Sequence, residues 1–240
     1  MLHYLSQQLA RAPKVVAERA FIENVSRRAF LKGTASGVGL VVAMQLVPFR
    51  GAGAFEQYPT GGLDMPNGIV TDPHVFVSID PDGTVTIVAH RSEMGTGART
   101  SLPMVVADEL EADWARVKIV QAPGDEPKYG NQDTDGSRSM RHHIQPMRQI
   151  GASVRTMLER AAAKQWGVDV ELCRAQNHEV ALLEKVGEGM TPTDQRLGYG
   201  ELAQAAMQEP VPAFEDLRFK DESEFRYIGR GEVQIFDLHD

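Results

Sequence analysis

The sequence has a single cysteine, Cys173, among its 240 residues. One thiol excludes an internal disulfide, and alone it cannot hold an iron–sulfur cluster or a structural zinc ion. The neighbouring side chains Val170, Leu172 and Ala175 are apolar, which favours a buried packing cysteine over a reactive nucleophile. We therefore predict a structural role for Cys173.

Positive charge is scarce beyond the N-terminal quarter of the chain. Residues 1–54 carry a net charge of +5, whereas residues 55–240 carry 18 Lys/Arg against 31 Asp/Glu, a net charge of −13. An acidic protein repels the phosphate backbone of nucleic acids, so no nucleic-acid partner is predicted. The basic N-terminal part is instead typical of a targeting segment.

Residues 33–49 form an uncharged run of 17 residues, short of the roughly 20 that a membrane-spanning helix needs. The run follows Ser26 and the pair Arg27–Arg28 and precedes Ala52-Gly53-Ala54. A basic region, an apolar region and an A-x-A site in this order are typical of an export signal. The arginine pair resembles the twin-arginine type, so residues 1–54 are predicted to direct the chain to the periplasm, with retention as a membrane anchor as an alternative.

The first part of the mature sequence is predicted to form a β-hairpin. Residues 55–73 are rich in glycine and proline and are interpreted as an extended lead-in. Val75, Val77 and Ile79 alternate along a strand and are expected to face inward, the turn Asp80-Pro-Asp-Gly83 follows, and residues 84–89 return as a second strand.

Apolar spacing predicts two helices downstream of the hairpin. The first spans residues 99–111 and is followed by a short strand at residues 117–120 and a loop at residues 121–127. The second is long and follows the polar segment 129–140, with Ile144 and then Met147 opening a pattern that steps by three and four residues.

Each helix is preceded by a polar turn that contains glycine. The first is Met94-Gly95-Thr96-Gly97, where two glycines allow a close backbone approach and leave N–H groups free to face an anion. The second is Gly136-Ser137-Arg138-Ser139, whose amides and hydroxyls suit an anionic ligand at a helix start. A plain strand–helix connection at the first turn, and simple capping of the helix by Ser137 or Ser139, are the alternatives.

Two polar clusters are interpreted without a functional role. The acidic run of Asp108, Glu109, Glu111 and Asp113 is expected to be a solvated helix end. His142 and its neighbour His143 point about 100° apart on a helix and cannot share one metal ion, so surface or cap positions are expected.

The remaining residues are predicted to hold a short helical turn after Asp169, a strand at residues 179–183, a loop at residues 187–195 and a helix at residues 200–207. Beyond Pro212 the sequence turns charged and aromatic. Residues 213–240 are therefore expected to form an extended arm that packs on a neighbouring domain, with an exposed apolar side if that domain is absent.

Many short motifs in order resemble one family. They include the twin-arginine segment, the Asp80-Pro-Asp-Gly turn, Ser92-Glu-Met-Gly-Thr-Gly97 and Gly136-Ser-Arg-Ser139, and they continue to Phe225-Arg-Tyr-Ile-Gly229. Together they are similar to the molybdopterin-binding large subunit of the xanthine dehydrogenase/aldehyde oxidase family, more narrowly to isoquinoline oxidoreductase and membrane-bound aldehyde dehydrogenase subunits.

The resemblance implies an α+β fold in which a hairpin and short strands pack with two or three helices, residues 74–212 being part of a molybdopterin-binding domain. It implies cofactor contacts from Met94, Gly95, Thr96 and Gly97 and from Gly136, Ser137 and Ser139. Thr96 replaces the Gln that is common in the family, so one amide contact would be missing. The implied cofactor is molybdopterin, as its cytosine dinucleotide, without an iron–sulfur cluster in this chain.

The resemblance also implies a small iron–sulfur subunit as partner and a cytochrome c subunit as a further one. Large subunits of the family are about three times longer and carry the catalytic Glu outside the matching part, so residues 213–240 would lead toward a missing hammerhead domain. We therefore expect an N-terminal portion that is inactive without the remainder of the large subunit. The alternatives are an exported binding or assembly protein that keeps the fold, and a phosphate-binding module, although the latter would lack a phosphate-loop Lys.

Overall fold

The structure, a computed structural model, describes residues 67–230 and residue 235. The predicted signal segment, residues 1–54, and most of the predicted lead-in lie outside these residues. Where the lead-in is described, Ile69 forms an isolated β-bridge with Gly130. The described part has two small sheets and two main helices and is of the α+β class, as predicted.

The first sheet contains the predicted hairpin. Strands β1 (Val77–Ile79) and β2 (Val85–Ala89) pair antiparallel, with Val77 opposite Ile87. Strand β3 (Val117–Gln121) adds parallel to β2. The parallel pairing requires a crossover, which helix α2 (Ala98–Leu110) provides.

The first strand is shorter than predicted because a helical turn, α1 (Pro73–Phe76), replaces its first half. Asp72 caps this turn by accepting a hydrogen bond of 3.0 Å from the His74 amide, and Pro73 suits its first position. Phe76 is fully buried, while the inward positions predicted for Val75, Val77 and Ile79 are only partly buried. The predicted alternation was therefore wrong before Val77.

Helices α2 (Ala98–Leu110) and α4 (Arg138–Trp166) confirm the two predicted helices and cross in close contact. Gly151 makes this approach possible, since a Cβ at that position would lie 2.5 Å from the Val106 carbonyl oxygen. The predicted loop between β3 and α4 contains one additional helical turn, α3 (Glu126–Tyr129). The core lies between the first sheet and these helices.

The second sheet is antiparallel and includes two strands, the first and the last, that were not predicted. It consists of β4 (Cys173–Gln176), β5 (Glu179–Val186) and β6 (Gly189–Gly198). The prediction of a loop at residues 187–195 was wrong, since β6 pairs with β5 through most of this segment. Most of its side chains are exposed, so burial leaves no periodic signal in the sequence. Helix α5 (Tyr199–Ala206) follows, close to its predicted place.

The acidic run at the end of α2 is not a solvated helix end, and that prediction was wrong for its first two members. Asp108 and Glu109 are fully buried. Asp108 pairs with Lys220 at 2.8 Å, and Glu109 pairs with Arg148 at 2.6 Å and with Arg155 at 3.3 Å. Burial is possible because these cations compensate both carboxylates.

The predicted arm comprises residues 213–240, and its described part packs on this domain through residues 218–228. The amides of Arg226, Tyr227 and Ile228 donate hydrogen bonds of 3.0–3.1 Å to the Asp108 carboxylate. The Tyr227 hydroxyl donates to the Ala112 carbonyl oxygen at 2.8 Å. The buried acidic residues therefore serve as the attachment point for this segment.

Cys173 is buried, as predicted. Burial, with a smaller contribution from Glu159, raises the pKa of its thiol to about 11, which opposes thiolate formation. Across residues 67–230 no helix is both long and apolar enough to cross a membrane.

Candidate functional site

The first glycine turn connects β2 to α2 and encloses a carboxylate of its own. Gly95 and Gly97 adopt positive φ angles of 92° and 76°, which favour glycine. Their amides and that of Thr96 converge on Glu93 Oε1 at 2.6–3.1 Å, and the Arg99 amide donates to Oε2 at 2.9 Å. The amides that we predicted would face an external anion are thus occupied by Glu93.

This arrangement keeps Glu93 ionised. Burial by itself would raise the pKa of Glu93, but the four amide donors, Arg99 first, outweigh it and lower that pKa below its ordinary value. The negative charge also lies at the N-terminus of α2, where the helix dipole stabilises it. The turn is therefore held together by an internal carboxylate that stays negatively charged.

The second glycine turn begins helix α4. Gly136 and Ser137 have φ angles of 48° and 57°, and Arg138 pairs with Asp135 across the turn. Ser137 occupies the position before the helix, but its side chain makes no capping hydrogen bond. The alternative that Ser137 caps the helix is thus wrong, and the start of a 29-residue helix has no side-chain cap in the described structure.

Hydrogen bonds join the segment before the first turn to the segment before the second turn. The Ser92 amide donates to the Gln132 carbonyl oxygen at 3.2 Å, and Thr134 Oγ1 donates to the Ser92 carbonyl oxygen at 2.5 Å. Gln132 Nε2 donates to the carbonyl oxygens of His90 and Pro123 at 3.0 and 2.9 Å. The two segments lie about 40 residues apart in sequence and form one unit in space.

A cleft of about 330 Å³ lies between the two turns. This volume is at the small end of the range of ligand sites. Four of the seven predicted site residues line it, namely Thr96, Gly136, Ser137 and Ser139, together with Ala98, Thr134, Asp135 and Met140. Met94, Gly95 and Gly97 do not line it, and the Met94 side chain is 67% exposed.

Arg91 borders the first turn in the sequence, and in the structure it contacts Ser139 of the cleft. Its side chain is 1% exposed. The guanidinium donates from Nε to Ser139 Oγ at 3.4 Å, and from Nη1 to the Asn131 backbone and side-chain oxygens at 2.8 and 2.5 Å. These partners are 40 and 48 residues away, so local sequence carried no signal of its burial.

Two buried histidines, His90 and His143, lie near Arg91. The rings of His90 and His143 lie 4.9 Å apart, so the expected surface or cap position was wrong for His143. Burial, followed by the charges of His143 and Arg91, lowers the pKa of His90 to about 3. Burial and then Arg91 lower the pKa of His143 to about 4. Both imidazoles are neutral at pH 7, and no metal-binding group of three or more His, Cys, Asp or Glu occurs in the described residues.

Comparison with known proteins defines the class. The chain matches the molybdopterin cofactor-binding domain over residues 12–231. Because this match covers most of the sequence, the chain belongs to the molybdopterin cofactor-binding domain family.

Two curated relatives belong to particular types of oxidoreductase. The chain is 34% identical over 197 residues to isoquinoline 1-oxidoreductase subunit beta of Brevundimonas diminuta, which covers 79% of this chain and 23% of that protein. It is 30% identical over 220 residues to a membrane-bound aldehyde dehydrogenase (pyrroloquinoline-quinone) of Gluconacetobacter polyoxogenes, which covers 90% of this chain and 26% of that protein. The chain thus spans about a quarter of the length of these relatives.

A solved structure with a similar part is CO dehydrogenase from Oligotropha carboxidovorans. It has a TM-score of 0.44 and 22% identity, over 54% of this chain and 15% of that chain. The resemblance to the isoquinoline oxidoreductase and aldehyde dehydrogenase type that the motifs predicted is confirmed by the curated relatives.

The residues of the second turn fit a molybdopterin, whereas the first turn has few free donors for it. The second turn offers the start of α4, which has no side-chain cap, and the hydroxyls of Ser137 and Ser139, which suit phosphate and pterin oxygen atoms. The first turn offers the side chain of Thr96, while its amides are occupied by Glu93. The donor set therefore fits the group through the second turn.

Proposed function

We propose that this chain forms one wall of the molybdopterin site in an exported molybdenum-dependent oxidoreductase that oxidises aldehydes or hydroxylates N-heterocycles. The observation that supports this proposal best is that two turns 40 residues apart, both part of the family resemblance, line one cleft. The names of the relatives, an aldehyde dehydrogenase and an isoquinoline oxidoreductase, support the two substrate classes.

Ser137 and Ser139 would hold the cofactor by hydrogen bonds, and Thr96 would contact it from the opposite side. Bound in its cytosine dinucleotide form, molybdopterin supplies the molybdenum centre at which the substrate is oxidised. The protein wall excludes water from that side and fixes the orientation of the group. The imidazoles of His90 and His143, near Arg91, are neutral at pH 7 and add no charge there.

The remainder of the large subunit, with its catalytic Glu, is proposed as the first partner. A small iron–sulfur subunit would receive the electrons, and a cytochrome c subunit would be a further acceptor. The relative isoquinoline 1-oxidoreductase subunit beta is named as a subunit, which supports assembly with other chains. Without these parts the 240-residue chain is expected to be inactive.

Export by the twin-arginine route to the periplasm is part of the proposal, with the signal either cleaved or retained as a membrane anchor. Replacing Arg27 and Arg28 by Lys is expected to leave the protein in the cytoplasm. Fractionation of cells that express the wild type and the double variant measures this directly. Equal periplasmic amounts would contradict the export route.

Co-expression tests the proposed molybdopterin site. The chain is purified alone and after co-expression with the family segment that carries the catalytic Glu, and molybdenum and aldehyde-dependent dye reduction are measured. The co-expressed complex is expected to contain molybdenum and to reduce the dye, and the chain alone to do neither. Dye reduction with molybdenum by the 240-residue chain alone would contradict the proposed division of the site.

A second candidate is an exported binding or assembly protein without a metal centre. The observation in its favour is the occupation of the first turn by Glu93, which removes half of the predicted amide contacts. Absence of molybdenum from a stable co-expressed complex would support this candidate over the oxidoreductase.

A further inference from the structure

Arg91 carries a buried positive charge that has no ion-pair partner among the described residues. Its Nη2 atom is buried and makes no hydrogen bond within residues 67–230. Asp133, Asp135 and Glu126 act on the guanidinium only through space, and Asp135 is already paired with Arg138. A guanidinium stays charged in proteins, so this charge remains partly uncompensated.

The open donor, Nη2, lies on the same edge of the guanidinium as Nε, which contacts Ser139 of the cleft. Nε and Nη2 share one edge of the planar fork, and Nη1 is directed to Asn131. Nε donates to Ser139 Oγ, and Ser139 lines the cleft. The Arg91 donor without a partner, Nη2, therefore lies on the side of the guanidinium that contacts Ser139.

The contact from Arg91 to Ser139, at 3.4 Å, is long for a hydrogen bond, but the charge of the guanidinium orients the Ser139 hydroxyl. An oxygen that accepts from Arg91 directs its own proton away from the guanidinium. The available acceptor is Thr134 Oγ1, 3.4 Å away, and the Thr134 hydroxyl is itself committed to the Ser92 carbonyl oxygen. A bond of 3.4 Å is long for two hydroxyls, so the Ser139 proton is free to turn to a stronger acceptor in the cleft.

We propose that Arg91 is a positioning residue for an oxyanion of the phosphate class, which it serves by presenting Ser139 as a donor at the uncapped start of α4. The charge of Arg91 lies beneath the anion, and the α4 amides and Ser139 contact it. The proposal deepens the proposed function, because the anion is either a phosphate of the bound cofactor or free phosphate from solution.

Nitrogen-15 NMR of the wild-type chain tests the proposal without a variant. The chain is labelled at arginine and titrated with sodium pyrophosphate at constant ionic strength, with sodium chloride as the reference. The Arg91 Nε–H signal is expected to shift saturably with pyrophosphate and not with chloride. An unchanged signal at saturating pyrophosphate would overturn the proposal.

Substitutions separate positioning from folding. Arg91→Met is expected to weaken pyrophosphate binding by about tenfold or more, and Ser139→Ala by a similar factor, as is usual for the loss of charge-assisted hydrogen bonds. Arg91→Lys keeps the charge but loses the fork and should bind with intermediate affinity. Lys185→Met, at an exposed cation of strand β5 outside the proposed site, is the control and should bind like the wild type.

If Arg91→Met does not fold, as judged by circular dichroism, the wild-type signal and Arg91→Lys still decide the matter. Wild-type affinity in both Arg91→Lys and Ser139→Ala would overturn the proposal. In the molybdenum-loaded complex, an Arg91 signal that is already shifted and insensitive to added phosphate identifies the cofactor as the source of the anion. A signal that still responds identifies free phosphate.

The proposed function and this inference can fail separately. A complex that contains molybdenum but leaves the Arg91 signal at its unliganded position would keep the oxidoreductase and refute the role of Arg91. A chain that binds pyrophosphate through Arg91 but never acquires molybdenum would do the reverse.

Discussion

At the scale of single residues, the main finding is that Glu93 closes the turn from within. Its carboxylate takes the amides of Gly95, Thr96, Gly97 and Arg99, the donors that a glycine-rich turn would otherwise offer to a ligand. A glycine pattern in a sequence predicts a backbone that can bind an anion, but it does not identify the anion. Here the neighbouring side chain fills that role.

Glu93→Gln is expected to lower the free energy of unfolding by about 1–2 kcal/mol at pH 7, because a charged acceptor of four amides is lost. The lowered pKa of Glu93 means that its contribution is complete above the ordinary value of 4.5 and is lost as the pH falls through the folded-state value. Urea unfolding of the wild type and the variant at pH 7 and at pH 3 measures both effects.

The difference between the two proteins should shrink at pH 3. Glu188→Gln, an exposed glutamate at the tip of the β5–β6 hairpin, is the control and should unfold like the wild type at both values. A Glu93→Gln protein as stable as the wild type at pH 7 would contradict the assigned role.

At the scale of elements, the contact between α2 and α4 sets the position of both turns. Gly151 lies where the helices cross, and an added Cβ would approach the Val106 carbonyl oxygen to 2.5 Å and Glu109 Cβ to 2.8 Å. Contacts this short force the helices apart. Since α2 begins after the first turn and α4 after the second, such a shift would widen the cleft.

Gly151→Ala is therefore expected to destabilise the fold by about 1–3 kcal/mol, although Ala has the higher helix propensity. Thermal unfolding followed by circular dichroism measures the loss. In the control Gly189→Ala, the new Cβ meets nothing closer than 3.9 Å, and no comparable loss is expected. A Gly151→Ala protein more stable than the wild type would show that the helices can separate without cost.

The buried carboxylate of Asp108 holds residues 220–228 to the end of α2. It accepts from three backbone amides and from Lys220 Nζ. Although burial raises the pKa of Asp108, these donors, Ile228 first, lower it overall, so the attachment weakens as the pH falls through the folded-state value.

Asp108→Asn is expected to cost about 3 kcal/mol or more, because Lys220 loses a buried partner. Hydrogen exchange should show faster exchange of the amides of Arg226, Tyr227 and Ile228. The exposed Asp194 provides the control Asp194→Asn, which should leave these amides protected. Unchanged protection in Asp108→Asn would mean that other contacts hold the segment.

At the scale of the whole molecule, the features predicted from sequence are those with a local pattern. The hairpin and the two main helices follow from turn residues and apolar spacing. Strand β6 is exposed along most of its length and has no such pattern. The burial of Asp108 depends on Lys220, 112 residues away, and that of Arg91 on Asn131 and Ser139, so neither could be inferred from neighbouring residues.

The site was predictable in outline for the same reason. Each turn has its own glycine and hydroxyl residues, and the family resemblance connected them before their distance in space was known. That they share a cleft depends on the crossing of α2 and α4 and on hydrogen bonds such as those of Gln132. The Glu93 carboxylate inside the first turn and the Arg91 guanidinium next to the second could be recognised only from the structure.

The most direct test of the account fills the cleft. Thr96 is exposed and lines it, so Thr96→Trp should occupy the space without disturbing the core. Molybdenum per complex is measured after co-expression, with Thr191→Trp on the exposed strand β6 as the control. We predict that Thr96→Trp loses at least about nine-tenths of its molybdenum while Thr191→Trp retains it, since a bulky side chain and the cofactor cannot share so small a cleft. Full molybdenum content in Thr96→Trp would contradict the claim that this cleft holds the cofactor.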